Sequence, residues 1–326
     1  MEYEELERML RQEKKRRDFQ NRIKSRRVLV PLAAMALILL GLAGAVIWGP
    51  LRGLLRAPKP LLGYTEEPLP EERARIQLLD VGQGLGILIE SEGEAMLIDG
   101  GGGKASSRTV AVLKARGIQK LKYLLLTHYD TDHIGGAIGA LETLGAETVL
   151  GPAYEVETRS FRSLKNKLEA RGKSLIHPEP GAVYPLGFCE CRVLGPLKIQ
   201  ENENDNSIVL QITDGVHSLL VTGDAEAAGE AELVKAWGRK LRSDIYVIGH
   251  HGSYTSSSEA FLARVKPSFV LLSCGAGNEY GHPHETALSR LKKTGAVLWR
   301  TDVQGDIRLI WTAEEIIWEK EAAAWP

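Results

Sequence analysis

Cysteine is scarce in this 326-residue chain, which has only three, and that excludes a disulfide-stapled scaffold. Proline is modest at 14 and the apolar fraction is an ordinary 44%, so the bulk of the chain is not disordered. An excess of one charge is missing too. The 41 Lys and Arg against 42 Asp and Glu give a formal net charge of −1, which excludes a globally basic nucleic-acid binder. No repeat at a fixed period and no low-complexity tract interrupts the chain, so a solenoid is not expected.

The even total hides an uneven distribution. Residues 1–27 carry ten bases and six acids, whereas residues 28–48 carry no charge at all. Such a run, at about 1.5 Å per residue, is long enough to cross a hydrocarbon core of about 30 Å. Pro31 stands near its start and Trp48 at its far end, a usual interfacial anchor. A buried core helix and a cleaved signal peptide are the rival readings, but the long basic block before the run favours an uncleaved signal anchor. The excess of bases on the N-terminal side puts residues 1–27 in the cytoplasm and the rest outside. Leu6, Met9 and Leu10 lie at helical spacing among those bases, so the tail is also a candidate for the anionic inner leaflet. Residues 49–72, with prolines at 50, 58, 60, 68 and 70, read as a linker. The expected domains are therefore tail 1–27, transmembrane signal anchor 28–48, linker 49–72 and an outer domain 73–326. Beyond residue 60, 28 Lys and Arg face 36 Asp and Glu, a balance that weighs against tight non-specific duplex binding.

Within the outer domain, apolar runs of strand length recur at 76–79, 86–90, 95–98, 123–127, 207–213, 218–222, 245–248, 269–273, 297–300 and 307–311. Helical patterns lie at 106–116, 134–144, 159–171, 225–237, 257–265 and 285–294. Consecutive strands followed by strand–helix alternation predict an α/β fold of mixed sheets covered by helices.

Six of the eight histidines fall in three short clusters. The first is Thr127-His128-Tyr129-Asp130-Thr131-Asp132-His133, directly after an apolar strand. It offers four metal-competent side chains in six residues, and positions 128, 130 and 132 share a face if the backbone is extended. Two imidazoles and two carboxylates suit one or two divalent ions. A simple helix cap at Asp132 would explain one of these residues and leave three unexplained. The second piece, Thr222-Gly223-Asp224, ends a strand with a carboxylate. The third, Gly249-His250-His251-Gly252, sets two imidazoles between glycines so that one can face a metal and the other a substrate. His282 and His284 sit in a further Gly-Pro loop.

Taken with Leu79-Asp80-Val81-Gly82-Gln83-Gly84, Leu97-Ile98-Asp99-Gly100-Gly101, Asn204-Asp205-Asn206-Ser207 and Tyr280-Gly281-His282-Pro283, these motifs resemble the metallo-β-lactamase fold. The likeness is to the branch of the soluble domain of ComEC-type competence DNA-uptake proteins, and it spans roughly residues 75–312. The resemblance implies an αββα sandwich with a metal site at one edge and a hydrolase as the default activity. It assigns the metal shell to His128, Asp130, Asp132, His133, Asp224 and His250, with Asp224 bridging two ions. Asp130 and the 204–207 segment stand where relatives often have histidine, and oxygen in place of nitrogen favours Mn²⁺ over Zn²⁺. Leu85 departs from the Asp usual after the Gly82-Gln83-Gly84 loop. A single span also separates this chain from the multi-span channel of competence proteins.

The expected mechanism is attack by water activated between the ions on phosphorus or a carbonyl carbon. Asp132 or Asp224 would orient the water, and His251 or His282 would protonate the leaving oxygen. The first expectation is a membrane-anchored phosphodiesterase or nuclease acting on DNA outside the cytoplasm. A hydrolase of an envelope phosphoester or ester and a non-catalytic metal-stabilised binding domain are the alternatives. Cys189, Cys191 and Cys274 read as small buried residues.

Overall fold

The computed structural model describes residues 71–326. The expected tail 1–27, the signal anchor 28–48 and nearly all of the linker 49–72 lie outside the described residues. Among the described residues no helix is long and apolar enough to cross a membrane.

Two mixed sheets stack face to face, and helices cover both outer faces. The chain enters with β1 (Glu72–Leu78), β2 (Gly86–Ser91), β3 (Glu94–Asp99), α1 (Ser106–Ala115), β4 (Leu121–Leu125), α2 (Thr131–Thr143), β5 (Ala146–Leu150), α3 (Arg159–Glu169) and β6 (Leu175–Ile176). It then builds the second sheet with β7 (Val183–Leu186), β8 (Cys189–Gly195), β9 (Val209–Thr213), β10 (Ser218–Val221), α4 (Ala227–Trp237), β11 (Ile245–Val247), α5 (Glu259–Val265), β12 (Phe269–Leu272), α6 (Glu285–Lys292) and β13 (Val297–Arg300). Finally β14 (Ile307–Thr312) and β15 (Ile316–Trp318) return to the first sheet. The strand orders are β15-β14-β1-β2-β3-β4-β5-β6 and β13-β12-β11-β10-β9-β8-β7.

The apolar runs are nearly continuous because both faces of each sheet are buried, and period 2 sends alternate residues to different cores. In β3, Met96 and Ile98 point into the core between the sheets while Leu97 packs under α1, α2 and α3. In β10, Leu219 and Val221 face the inter-sheet core and Leu220 joins the layer under α4, α5 and α6. The result is the αββα sandwich.

Strands β3, β4 and β5 run parallel in one sheet and β10 to β13 run parallel in the other. Loops leaving the carboxyl ends of parallel strands gather at one edge of a sheet, the usual place for a binding site. The loop after β3 and the helix α2 are locked there by direct backbone contact. Gly136 N donates to Gly101 O at 2.7 Å and Gly100 N donates to His133 O at 2.9 Å. This approach requires glycine, since a Cβ on Gly136 would lie 1.8 Å from Gly100 O.

Most expected elements are present. The strands β5, β6, β7, β8 and β15 fall outside the expected runs. In β8, Cys189, Cys191 and Val193 alternate inward with Glu190 and Arg192 outward, and the cysteines serve there as small apolar side chains. All three cysteines are free and buried, and burial pushes the Cys189 and Cys274 thiols up to about 12.

Candidate metal centre

Three strand ends supply the centre. β4 runs on into Thr127 and His128, and α2 opens immediately after with Asp132 and His133 in its first turns. Asp130 takes the N-cap position of α2 but makes no side-chain cap bond, and Asp132 lies inside the helix rather than capping it. Both carboxylates are thereby free for other partners. β10 leads to Asp224, and β11 leads to His250 and His251. Both of those histidines have positive φ, 47° and 54°, a backbone state that costs energy for a side chain of this size and clusters at functional sites.

The side chains converge on Asp224, whose carboxylate is 6% exposed. Its Oδ1 lies 3.3 Å from His133 Nε2, and its Oδ2 lies 3.4 Å from His251 Nε2, 3.7 Å from His250 Nε2 and 4.0 Å from His128 Nε2. Asp132 Oδ2 is 3.5 Å from His251 Nε2, and Asp130 Oδ2 is 3.7 Å from His128 Nε2. Two overlapping groups emerge, His128–His133–Asp224 and Asp132–His133–His251, each with its donor atoms within 4.8 Å of one another.

The other nitrogen of each buried imidazole is engaged. His133 Nδ1 donates to Asp99 Oδ2 at 2.8 Å, and His251 Nδ1 donates to the Ser273 carbonyl at 3.0 Å. His128 Nδ1 lies 3.1 Å from Thr127 Oγ1, which itself donates to Asp99 Oδ2 at 2.6 Å. Partners at Nδ1 aim each Nε2 at the centre, the arrangement that orients histidine toward a metal. Asp99 also accepts from Thr127 N at 2.9 Å and is fully buried.

These residues fit a divalent cation. Bonds of about 2.0–2.2 Å set neighbouring donors roughly 3–3.5 Å apart around a tetrahedral ion, and the pairs His133–His251, His133–Asp224, His251–Asp224 and His251–Asp132 measure 3.1, 3.3, 3.4 and 3.5 Å. His128 Nε2 is buried with no hydrogen-bond partner, an omission that calls for a missing group.

The electrostatics agree. Burial works against charge on His133 and His251, but the Asp224 carboxylate, with Asp99 behind His133 and Asp132 beside His251, outweighs it. His133 is held well above the usual histidine range and His251 is raised to about 9. Burial likewise opposes ionisation of Asp224 and Asp132, yet the facing imidazoles hold both carboxyls well below their ordinary range. The site is thus built for positive charge against carboxylates, which a cation supplies as readily as protons.

Three expectations change. The neighbours His250 and His251 exchange places: His251, expected as a proton donor, lies in the group with Asp132 and His133. His250 is partly exposed and also faces Glu226, with Nδ1 3.3 Å from Oε1. Two adjacent residues cannot be assigned to faces without the backbone turn between them. His282, the other expected proton donor, is lowered to about 4 by burial and by the neighbouring His251, His250 and His284, so at neutral pH it is an uncharged imidazole. Its Nδ1 lies 3.3 Å from Gln83 Nε2, and Gln83 Oε1 accepts from Gly275 N at 3.3 Å, so Gln83 donates and His282 keeps its proton on Nε2. The segment 204–207 contributes no side chain to either group: Asp205 Oδ1 accepts from Glu226 N and Gly229 N, and Ser207 Oγ accepts from Asp224 N.

The Gly82-Gln83-Gly84 loop does border the site. Gly84 has φ +129°, and a Cβ there would lie 2.1 Å from Asp132 O. Leu85, however, turns away from the site and packs in the inter-sheet core at 4% exposure. Asp99 and Thr127 had no assigned role in the sequence reading; the acid at the end of β3 was visible only as a motif.

Residues 79–275 match the Metallo-beta-lactamase superfamily. Competence protein ComA of Neisseria gonorrhoeae is 32% identical over 86% of this chain and 39% of its own length. Recombination protein 2 of Haemophilus influenzae is 30% identical over 72% of this chain and 28% of its own, and ComE operon protein 3 of Bacillus subtilis is 28% identical over 74% and 33%. The chain therefore spans about a third of the length of these curated relatives. Among solved structures, the metallo-beta-lactamase fold protein YhfI of Bacillus subtilis aligns with a TM-score of 0.50 at 16% identity, over 75% of this chain and 99% of that one. CmlA, a diiron beta-hydroxylase from Streptomyces venezuelae, aligns equally well at 14% identity, over 74% and 54%; both likenesses concern the fold alone. The chain belongs to the metallo-beta-lactamase superfamily and within it is similar to ComEC-type competence proteins.

Proposed function

We propose that this protein is a metal-dependent phosphodiesterase, a nuclease in the first instance, working on the outer side of a membrane to which residues 28–48 tether it. The observation that carries the reading is the convergence of three buried imidazoles on the Asp224 carboxylate, with His128 Nε2 left without a partner. Asp132, His133, His251 and Asp224 would hold one divalent ion, and His128, Asp130 and Asp224 a second. Three carboxylates beside three imidazoles suit either Mn²⁺ or Zn²⁺. A bound ion supplies Lewis acidity and a nucleophilic water at neutral pH.

The chain's own residues do the remainder. Asp224 and Asp132, both ionised, accept hydrogen bonds from the attacking water and fix its orientation. His282 offers its Nε2–H at the rim to the leaving oxygen, as a hydrogen-bond donor rather than as an acid. Asp99 and Thr127 keep the imidazoles aimed. Relatives named for competence and recombination support a nucleic-acid substrate over an envelope ester.

Hydrolysis of single-stranded DNA, of a small phosphodiester and of a carboxylic ester by the Mn²⁺-loaded protein tests the proposal. Cleavage of the diesters that disappears in Asp224→Ala is expected. Cleavage of the ester alone, or of nothing at all by metal-loaded protein, contradicts it. The proposed topology is tested by protease added to intact cells, which should digest the outer domain and spare the tail.

A further inference from the structure

A file of rings leads outward from the metal centre. The His282 ring centre lies 6.2 Å from that of His251 and 5.5 Å from that of His250. Tyr280 stacks on His282 at 5.7 Å with 23° between the planes. His284 stands perpendicular to His282 at 4.8 Å, and Tyr254 lies 5.0 Å beyond it. The two tyrosines are 60% and 59% exposed, and Phe188, at 40%, is the only other exposed Phe, Tyr or Trp among the described residues. Their clustering at the mouth of one site is therefore not the ordinary scatter of surface apolar groups.

The rim is rigid. Asn278 Oδ1 accepts from the N–H groups of Tyr280 and His282 at 3.1 and 3.0 Å, and its Nδ2 donates to the carbonyls of Gly275 and His282 at 2.9 and 2.5 Å. Arg290 Nη2 donates to the carbonyls of Tyr254 and Ser256 at 2.8 and 2.7 Å, and Tyr254 N donates to His284 Nδ1 at 3.2 Å. Flat, exposed, preorganised rings beside a site bind other flat faces with little entropic loss.

We infer that Tyr254 and Tyr280 form a stacking rim that seats the bases of a single-stranded polynucleotide next to the metal centre. The inference rests on the phosphodiesterase reading and names its preferred substrate. The acidic balance beyond residue 60 weighs against phosphate neutralisation as the main source of affinity. Base faces need no positive surface, and each stacked base contributes roughly 5- to 150-fold in affinity. A duplex hides those faces between its base pairs, so the rim selects unpaired strands.

The test uses the full chain in detergent with Mn²⁺, mixed rapidly with three probes: an oligodeoxynucleotide carrying 2-aminopurine, the same strand with abasic spacers in place of bases, and the duplex form. The wild type should quench the 2-aminopurine and bind the abasic strand and the duplex at least tenfold more weakly. The Tyr254→Ala/Tyr280→Ala double variant should lose that preference, and the Phe/Phe variant should retain it. Equal affinity of the wild type for base-bearing and abasic strands, or a preference that survives the double Ala variant in folded protein, overturns the rim. Binding is read independently of cleavage. A wild type that hydrolyses a small diester but ignores bases loses the rim and keeps the catalytic reading, and one that shows Tyr-dependent binding without cleaving any diester does the reverse.

Discussion

Asp99 and His133 form a fully buried carboxylate–imidazole pair, with Oδ2 2.8 Å from Nδ1. The acid sits at the end of β3 and the base in the first turn of α2, yet 34 residues of chain separate them. The same carboxylate holds Thr127 through its backbone and its hydroxyl, so a single anion sets the aim of two neighbouring imidazoles. Asp99→Asn keeps the shape and removes the charge. It should weaken metal affinity by about 10- to 100-fold, as loss of such orienting partners does, with the far-UV circular dichroism unchanged. Isothermal titration with Mn²⁺ reads the effect, and an unaltered affinity would detach Asp99 from the centre.

The pair His250 and His251 provides a sharp contrast within two residues. His251→Ala removes an atom lying 3.1 Å from His133 Nε2 and 3.4 Å from Asp224, and should abolish tight binding of the ion held with Asp132. His250→Ala should leave one tightly held ion. Metal content after dialysis distinguishes them, and equal retention by both variants would contradict the assignment.

Metal and protons compete for the same atoms. His133 and His251 are raised in the folded protein, His251 to about 9, so the stability they bring to metal-free protein is present below about pH 6.5. It is lost as pH climbs through about 9. Asp224 and Asp132 are depressed, so their contribution is present above about pH 4 and is lost on further acidification. A cation requires neutral Nε2 atoms, so its stabilisation should grow as pH rises. At a metal concentration of 100 times Kd the gain is about 2.7 kcal/mol, or roughly 5–10 °C in Tm for a domain of this size. The Mn²⁺-induced rise in Tm should be clearly larger at pH 8.5 than at pH 5.5. A shift of the same size at both would contradict the proposed ligands.

Gly136→Ala tests the frame rather than the ligands. Its Cβ would meet Gly100 O at 1.8 Å, and relief requires moving α2 away from the loop that carries Asp99. A loss of at least about 1–3 kcal/mol in urea unfolding is expected, with weaker metal binding, because Asp132 and His133 ride on the same helix.

The sandwich, and most of the side chains that gather around Asp224, could be read from the sequence because their signals are local. Long apolar runs such as β3 and β10 need no partner to be seen, and four metal-competent side chains within 128–133 stand out by spacing alone. What escaped depends on contacts between distant segments. Nothing near Asp99 says that it reaches His133, and nothing in the pair His250-His251 says which ring turns inward, since that is decided by a left-handed backbone at both residues. Leu85 looked like a change at the mouth of the site, but alternation along the start of β2 sends it into the core. Strand β8 was missed because its inward positions are filled by cysteine.

The most direct test of the account is a crystal structure of the protein grown with Mn²⁺, with anomalous diffraction recorded to identify the ion. An anomalous peak bonded to Asp132, His133, His251 and Asp224 is expected, with a second peak of lower or equal height beside His128 and Asp130. No peak at Asp224 in protein that has been offered the metal, or a peak elsewhere only, would contradict it.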